Sequence, residues 1–216
     1  MGRKPQSDEA VEAMRARVID AALAILARDG RAGLSARRLA ADVGASTKVV
    51  YDYFGGMGGV VEAVYARCFS ELETAMRAAD DASQPPAKRV HAVMSAYRDY
   101  GLAMRDRFEL MYGRPVATLA PTPRDRDAAR GSLDVVADIL EATGCSDPRA
   151  EAYRVWAALH GAVALEVTGW LEGPEVFEAV LDRMVLALRV RSASREGCPK
   201  NVRLMDNPKL SEKPKL

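Results

Sequence analysis

Between Ser35 and Tyr53 the sequence concentrates side chains that donate hydrogen bonds to anions and to polar ring edges. Two guanidinium forks, one ammonium group, three hydroxyls and two phenols make up the set, which is Ser35, Arg37, Arg38, Ser46, Thr47, Lys48, Tyr51 and Tyr53. Forked donors suit the O6 and N7 atoms of guanine, while hydroxyl and amine donors suit phosphate oxygens. These residue types predict contact with a nucleic acid.

The residues between these polar groups predict two short helices that cross at a tight turn. Ala40 falls where the first helix must be small, and Gly44 falls at the turn, where a positive φ angle costs least. Ser35 and Ser46 are the expected N-caps of the two helices. The apolar residues expected to hold the crossing are Leu39, Val43, Ala45 and Val50. The spacing is typical of a DNA-binding helix-turn-helix, although a plain helical hairpin also contains it.

The residues on the C-terminal side of this stretch favour the helix-turn-helix. The segment 49–54 leads into the glycine-rich segment 55–59 and then into a long helix with apolar periodicity. Over about residues 12–65 the chain resembles the TetR family of bacterial repressors, whose recognition helix ends in a Tyr-x-(Tyr/His)-Phe motif. The resemblance implies that Arg37 reaches a guanine and that Thr47 and Lys48 meet base edges. The implied phosphate contacts are Ser46, Tyr51 and Tyr53.

The linker departs from the family pattern. Met57 stands where related chains usually carry a lysine that contacts a phosphate, and Gly58 replaces an acidic residue that often comes next. Backbone amides of Gly58 and Gly59 offer a substitute, because helix N-termini attract anions. The alternative is that these glycines only loosen the joint between two domains.

A second distinctive stretch lies late in the chain. Trp156, His160 and Gly161 form a Trp-x-x-x-His-Gly pattern on a long predicted helix, among alanines that permit close helix approach. The pattern is similar to the C-terminal domain of a TetR subgroup. The family packs its last two long helices against those of a second subunit, which implies a homodimer interface through Ala157, Gly161, Ala164, Val180, Arg183, Met184 and Ala187. Two DNA-binding modules would then enter major grooves about 34–36 Å apart.

The resemblance also implies a small-molecule effector site in this half. Aromatic, methionine and histidine side chains suit an adaptable apolar pocket, and the candidates are Tyr97, Met104, Phe108, Met111, Tyr112, Trp156 and His160. The same residues at helical spacing also fit an ordinary core, and His160 fits a packed histidine as well as a ligand contact or pH sensor. No metal or cofactor is predicted, because His91 and His160 lie in no metal-ligand spacing.

Charge is distributed unevenly along the 216 residues. The net charge is +2 over residues 1–60, −6 over 61–188 and +5 over 189–216. Because the acidic middle should repel DNA, contact is expected in the N-terminal part. The predicted organisation is a DNA-binding domain at 1–57, a regulatory and dimerisation domain at 58–195, and a disordered basic tail at 196–216, with a phosphate clamp as the alternative role of the tail.

Hydrophobic periodicity predicts an all-α fold, with a three-helix DNA-binding domain followed by about six helices for ligand binding and dimerisation. The expected helices cover about 8–29, 36–43, 47–53, 59–82, 86–103, 106–113, 123–143, 148–171 and 174–193. No apolar run reaches the length of about 18 residues that a membrane span needs. Three widely spaced cysteines fit a reducing cytoplasm better than a disulfide framework.

The expected function is that of a cytoplasmic, ligand-responsive repressor that binds a palindromic operator as a homodimer. Two other classes stay open, namely a ligand-independent architectural or constitutive DNA-binding regulator, and an enzyme. An enzyme is disfavoured because the sequence has no Glu-x-x-His, phosphate loop, Gly-x-Ser-x-Gly or Cys-x-x-Cys motif. The effector, the operator, and repression as opposed to activation are not determined by the sequence.

Overall fold

The computed structural model describes residues 7–113 and 123–194, and within them the chain forms nine α-helices. These are α1 Asp8–Gly33, α2 Ala36–Asp42, α3 Lys48–Phe54, α4 Met57–Ala79, α5 Pro86–Ala103, α6 Arg105–Tyr112, α7 Pro123–Glu141, α8 Pro148–Val167 and α9 Glu175–Ser194. The all-α prediction is confirmed for these residues. None of the described helices is both long and apolar enough to span a bilayer. The predicted tail at 196–216 lies outside the described residues.

The chain divides into two compact units. The first comprises Met1–Leu72 with Tyr100–Ala129, and the second comprises Glu73–Asp99 with Arg130–Leu216. Helices α4, α5 and α7 each contribute one part to each unit. The functional boundary expected between residues 57 and 58 stays a prediction.

In the first unit, α1 packs against α2, α3 and α6. Its buried side chains recur at helical spacing as the sequence predicts, and they include Val18, Ala22, Ile25 and Leu26. The part of α4 in this unit is buried on one face through Val60, Val64, Cys68 and Leu72. Burial raises the pKa of the Cys68 thiol to about 12, so this cysteine is an unreactive apolar residue.

Local chemistry explains where the helices begin and end. The regular part of α1 ends at Gly30, whose φ of 62° interrupts the helix close to its expected end. The carboxylate of Asp147 accepts the amide hydrogen of Ala150 at 3.0 Å and so caps α8. Helix α8 ends at Val167, four residues earlier than predicted, because Gly169 turns the chain with a φ of 79°.

In the second unit, α8 packs against α9. The buried residues of α8 include Val155, Leu159 and Val163, and those of α9 include Phe177, Leu181 and Val185. The part of α5 within this unit adds Val93, Met94 and Tyr97 to the buried residues. Each helix therefore keeps one apolar face in the core of the unit.

Candidate nucleic-acid interface

The first helix of the candidate interface, α2, begins at a capped residue. The side-chain oxygen of Ser35 accepts the amide hydrogen of Arg38 at 3.4 Å, so the expected N-cap is confirmed. After α2, Gly44 adopts a φ of 64°, and the amide of Ala45 donates to the carbonyl of Ala40 at 2.8 Å. A left-handed turn of this kind favours glycine, and it leads the chain directly into α3.

Buried aliphatic side chains hold α2 and α3 together. Leu39, Val43 and Val50 are buried as predicted, and Val49 joins them. Ala45 is exposed, so its predicted packing role is wrong. The physical reason is that Ala45 lies in the turn, before α3 begins, where its side chain faces solvent.

The N-terminal end of α3 also differs from the prediction. The helix begins at Lys48, and its N-cap residue is Thr47, whose side chain makes no capping hydrogen bond. Ser46 therefore lies one residue before the cap position, and its predicted capping role is wrong. Ser46 and Thr47 are both exposed, which keeps two hydroxyls at the surface beside the start of α3.

All eight predicted DNA contacts lie between Ser35 and the end of α3, and none of them is buried. Six are exposed, namely Arg37, Arg38, Ser46, Thr47, Lys48 and Tyr51, and the other two, Ser35 and Tyr53, are half-buried. The side chain of Tyr51 is 63% exposed. Because an aromatic side chain of this size usually buries most of its surface, its exposure favours a contact surface.

Two of the three basic residues among the candidate DNA contacts form ion pairs with acidic neighbours. The Arg38 guanidinium lies 2.5 Å from the Asp29 carboxylate, and the Lys48 ammonium lies 3.9 Å from the Asp52 carboxylate one turn further along α3. Among the described residues, Arg37 has no such ion pair. A phosphate must therefore compete with Asp29 for the guanidinium of Arg38. The guanidinium of Arg37 has no such competitor in the described part of the chain and can bind an external acceptor. The pairing with Asp29 was not expected from the sequence.

Two arginines of α1 hold the C-terminal ends of α2 and α3, a role that sequence reasoning missed. Arg17 Nη2 donates to the carbonyl of Val43 at 2.8 Å, at the C-cap of α2. Arg15 Nη1 donates to the carbonyl of Tyr53, and its guanidinium carbon lies 4.6 Å from the centroid of the Phe54 ring. Phe54 is half-buried under this guanidinium. No short-range sequence pattern identifies contacts that join residues so far apart.

The joint between α3 and α4 depends on a close backbone approach at Gly59. A Cβ placed on Gly59 would lie 1.9 Å from the carbonyl oxygen of Phe54, whereas a Cβ on Gly58 would meet nothing within 4 Å. Both glycines lie in the first turn of α4, which begins at Met57, two residues earlier than expected. Gly59 therefore has a packing role, which is distinct from binding a phosphate and from loosening the joint.

The structure places the candidate pocket residues in both compact units. Met104, Phe108, Met111 and Tyr112 belong to the first unit, and Tyr97, Trp156 and His160 belong to the second. Phe108, Met111 and Tyr97 are buried, while Met104 is 41% exposed and lines an open groove of about 360 Å³ between α1 and α6. In the described ranges 7–113 and 123–194, no cluster of three His, Cys, Asp or Glu side chains could hold a metal ion.

The Trp-x-x-x-His-Gly stretch forms a hydrogen-bonded aromatic cluster in the second unit. The Trp156 indole donates to the Tyr97 hydroxyl at 3.3 Å, and this hydroxyl lies 2.7 Å from His160 Nδ1. The Trp156 and His160 rings stack with centroids 5.0 Å apart. The Tyr97 hydroxyl can accept from Trp156 and donate its own proton to Nδ1 of a neutral His160. Burial lowers the pKa of His160 and favours the same neutral form.

We expect the neutral state of His160 to make the fold less stable in mild acid. Since its folded pKa lies below the ordinary value of about 6.5, the unfolded chain takes up a proton first, and stability falls as the pH drops through that value. The melting temperature should therefore fall between about pH 7.5 and about pH 5.5, and His160→Gln should remove a few degrees of that fall.

The chain's other histidine provides the control for this measurement. His91 is half-buried, and its Nε2 lies 3.2 Å from the Glu178 carboxylate. A His91→Gln variant separates the contribution of His160 to the fall in melting temperature from the contribution of His91. An unchanged fall in melting temperature in the His160→Gln variant would show that the buried imidazole does not govern the acid sensitivity.

A buried ion pair joins three helices of the second unit. The Arg98 guanidinium donates from Nε to the Glu166 carboxylate at 2.8 Å, and its Nη2 forms an ion-pair contact with the same carboxylate at 2.7 Å. The Glu166 side chain is 3% exposed and that of Arg98 is 17% exposed. The guanidinium also lies 5.7 Å from the centroid of Phe177. The Glu166 hydrogen bond raises the pKa of Arg98, so the guanidinium stays charged.

The predicted dimer residues lie on the faces of α8 and α9 that their shared core leaves uncovered. None of Ala157, Gly161, Ala164, Val180, Arg183, Met184 and Ala187 is buried. Large apolar side chains add to these outer faces, since Leu165 is 44% exposed and Leu186 is 60% exposed. Small residues next to exposed leucines form a surface suited to close helix packing.

Two protein-family models match the chain, one in each half. Residues 18–64 match the model described as bacterial regulatory proteins, tetR family. Residues 90–188 match the model described as the tetracyclin repressor-like C-terminal domain. The first match contains α2, α3 and all eight candidate DNA contacts, and the second contains the aromatic cluster and the outer faces of α8 and α9.

Individual relatives agree with these matches. An uncharacterized HTH-type transcriptional regulator of Mycobacterium tuberculosis, Rv0681, is 28% identical over 202 residues, which cover 87% of this chain and 88% of that protein. The solved structure of the protein SCO4313 has a TM-score of 0.70 at 21% identity, covering 84% of this chain and 98% of that one. The multidrug binding protein EbrR, solved with imidazole, has a TM-score of 0.63 at 24% identity, covering 84% and 96%.

The exposed helix-turn-helix and the matches of both halves to models of one family lead to the same conclusion. The chain belongs to the TetR family, and it is a DNA-binding transcriptional regulator and not an enzyme.

Proposed function

We propose that the chain is a homodimeric repressor that binds a two-fold-symmetric operator and releases it when a small molecule binds. The observation that carries this proposal is the packed pair of α2 and α3, which buries its aliphatic residues and exposes six of the eight candidate DNA contacts. The proposed site of action is the cytoplasm. The proposal also assigns the chain to the subgroup with the Trp-x-x-x-His-Gly pattern.

Within the interface, each side chain is assigned by its chemistry and by its place on the helices. Arg37 is proposed to bind a guanine through its two-pronged fork, and Thr47 and Lys48 at the start of α3 are proposed to meet base edges. The remaining donors are proposed to hold phosphates and so to set the register, and they are Ser35, Arg38, Ser46, Tyr51 and Tyr53. Only the first three residues would then contribute to sequence preference.

Arg37→Ala should cost about 1–3 kcal/mol of binding free energy and relax the preference at one base pair. The matched control is the neighbouring Arg38→Ala, which removes a phosphate contact under the same proposal. It should weaken binding to all sequences equally and reduce the salt slope by about one. Affinity measured against a set of singly substituted operators separates the two effects. An unchanged preference in the Arg37 variant would contradict the guanine assignment.

The outer faces of α8 and α9 support the proposed dimer. Their inner faces are already buried in the second unit's own core, so the exposed Leu165 and Leu186, together with Gly161, offer an apolar surface that another pair of helices can cover. A second copy of the same helices supplies such a surface through two-fold symmetry. The same symmetry places two helix-turn-helix modules on two half-sites about 34–36 Å apart.

Regulation is proposed to act through a shift between two populated states. A ligand bound among the later helices, beside residues such as Tyr97, Trp156 and His160, would change the separation of the two DNA-binding modules. It can do so only through a difference between its affinities for the two states. The name of EbrR attributes multidrug binding to that protein, and its similar fold supports a small-molecule site here by analogy.

The decisive experiment is the capture of genomic DNA fragments by the purified full-length chain at physiological salt. The expected result is enrichment of a short inverted repeat, with one dimer bound per repeat when the molecular mass of the complex is measured. Enrichment upstream of the protein's own gene would supply the probe for effector screening. Salt-sensitive binding without any enriched sequence would contradict the proposal and support an architectural regulator. Repression that no small molecule relieves would contradict only the ligand-responsive part.

A further inference from the structure

The C-terminal end of α3 is held from outside the helix-turn-helix by one side chain of α1. Arg15 donates from Nη1 to the carbonyl of Tyr53, and its guanidinium carbon lies 4.6 Å from the centroid of the Phe54 ring. Two different interactions of one planar group thus fix two consecutive residues at the end of α3. A single hydrogen bond would leave the helix free to rotate about it, whereas a bond combined with a stacked ring limits that rotation.

Arg15 is suited to this carbonyl for electrostatic reasons. The last carbonyls of a helix lack partners within the helix and carry the negative end of its dipole, so a cation placed there is stabilised. The Arg15 side chain is 32% exposed, and its Nε lies 3.8 Å from the Glu12 carboxylate. The guanidinium is therefore engaged by a carbonyl, a ring and a carboxylate, all belonging to the first compact unit.

The proposed base contacts lie at the opposite end of the same helix. Thr47 and Lys48 stand at the start of α3, and Tyr53 stands near its end, so the helix length between them is about 8–9 Å. The hydrophobic face of α3 fixes the helix through Val49 and Val50, which are both near its N-terminal end. At the C-terminal end, the Phe54 carbonyl packs against Gly59 of α4, and Arg15 adds an attachment from α1 that helps to fix the direction of the helix axis.

We propose that Arg15 is a positioning residue for the recognition helix: from α1 it holds the Tyr53–Phe54 end of α3 so that the other end meets base edges, and it makes no contact with DNA. This inference rests on the proposed function of the interface. It predicts that Arg15 determines how well the protein distinguishes its operator from other DNA. A residue that only bound phosphate would strengthen binding to every sequence equally.

The test begins with selection of binding sequences by the wild-type chain from a pool of random DNA duplexes. Failure to enrich any sequence would overturn the proposed function itself, before any Arg15 variant is measured. With the enriched duplex and a scrambled duplex of equal length and composition, dissociation constants are then measured over a range of salt concentrations. The variants are Arg15→Met and Arg15→Lys. Arg67→Met is the control, because it removes the same charge from an exposed arginine that pairs with Glu71 on α4.

Arg15→Met should weaken binding to the enriched duplex about tenfold, as expected for loss of a charge-assisted hydrogen bond that orients a helix. Binding to the scrambled duplex should change no more than in the Arg67→Met control, and the salt slope should stay unchanged because no phosphate contact is lost. Arg15→Lys keeps the charge but lacks the planar fork, so it should recover only part of the loss.

Three results would overturn the inference. The first is equal weakening on both duplexes with a salt slope reduced by about one and full recovery in Arg15→Lys, which would make Arg15 a phosphate contact. The second is unchanged binding in both Arg15 variants. The third is a loss of specificity no larger than that of Arg67→Met. If thermal melting shows that Arg15→Met does not fold, the same comparisons are made with Arg15→Lys alone. They decide whether Arg15 positions the recognition helix or contacts a phosphate.

Discussion

Arg98→Met should lower the free energy of unfolding by about 3–5 kcal/mol, because it leaves the Glu166 carboxylate buried without a partner. Glu166 is 3% exposed, accepts a hydrogen bond from Nε of Arg98 at 2.8 Å, and lies 2.7 Å from Nη2 of the same guanidinium. Without the guanidinium, the buried carboxylate loses both its hydrogen-bond donor and its counter-charge, which is costly. Denaturant unfolding followed by circular dichroism measures the cost.

The matched control for this prediction is Arg77→Met in the same compact unit. Arg77 also pairs with a glutamate, since its Nε lies 2.8 Å from Glu73, but its side chain is 50% exposed. Loss of such a pair should cost less than about 1 kcal/mol. The double variant Arg98→Met/Glu166→Leu should recover most of the stability, because no charge is left buried. Equal costs in the Arg98 and Arg77 variants would show that burial does not determine the strength of the inner pair.

Gly59→Ala should be severely damaging, whereas Gly58→Ala should be harmless or slightly stabilising. A Cβ on Gly59 would lie 1.9 Å from the Phe54 carbonyl oxygen, so α3 and α4 would have to move apart, at a cost of about 3 kcal/mol. Because the movement displaces the recognition helix, DNA affinity should fall at least about tenfold. Gly58 has open space around its Cβ position, and alanine in a helix is favoured over glycine by about 0.5–1 kcal/mol.

The two neighbouring glycines are matched for sequence position and for membership of α4, so each variant serves as the control for the other. Thermal melting reports the packing cost, and operator affinity reports the displacement of α3. Both variants keep the backbone amide, so a phosphate bound by that amide is retained unless the new methyl group blocks it. Equal behaviour of the two variants would contradict the packing role of Gly59. A loss of affinity in Gly58→Ala without a loss of stability would instead support the phosphate contact at the start of α4.

Local features of the sequence predicted the helix-turn-helix well, because they depend on neighbours in the chain. Ser35 caps α2, Gly44 takes the left-handed turn, and Leu39 and Val50 are buried, as their spacing indicates. The errors are also local and have physical causes. Helix α3 begins one residue later than the cap assigned to Ser46 requires, so Ser46 and Ala45 stay at the surface.

Contacts between distant residues could not be predicted, although they fix the geometry of the site. The partners of Arg15, Arg17 and Arg98 lie 38, 26 and 68 residues away. Glutamate and arginine are usually exposed, so their residue types gave no indication that Glu166 and Arg98 are buried. The candidate effector residues were grouped by type alone, and no periodic pattern could assign them to two different compact units.

The division of the chain into compact units has a consequence for the construction of hybrid regulators. Helix α1, which carries Arg15 and Arg17, packs against α6, which begins only at Arg105 but belongs to the same unit. If residues 1–57 were fused to the effector-binding domain of another regulator, the face of α1 that packs against α6 would lose its native contacts. The first compact unit is discontinuous in sequence. A hybrid regulator that keeps this unit intact should therefore take two segments from the same parent, one that ends near Leu72 and one that contains α6.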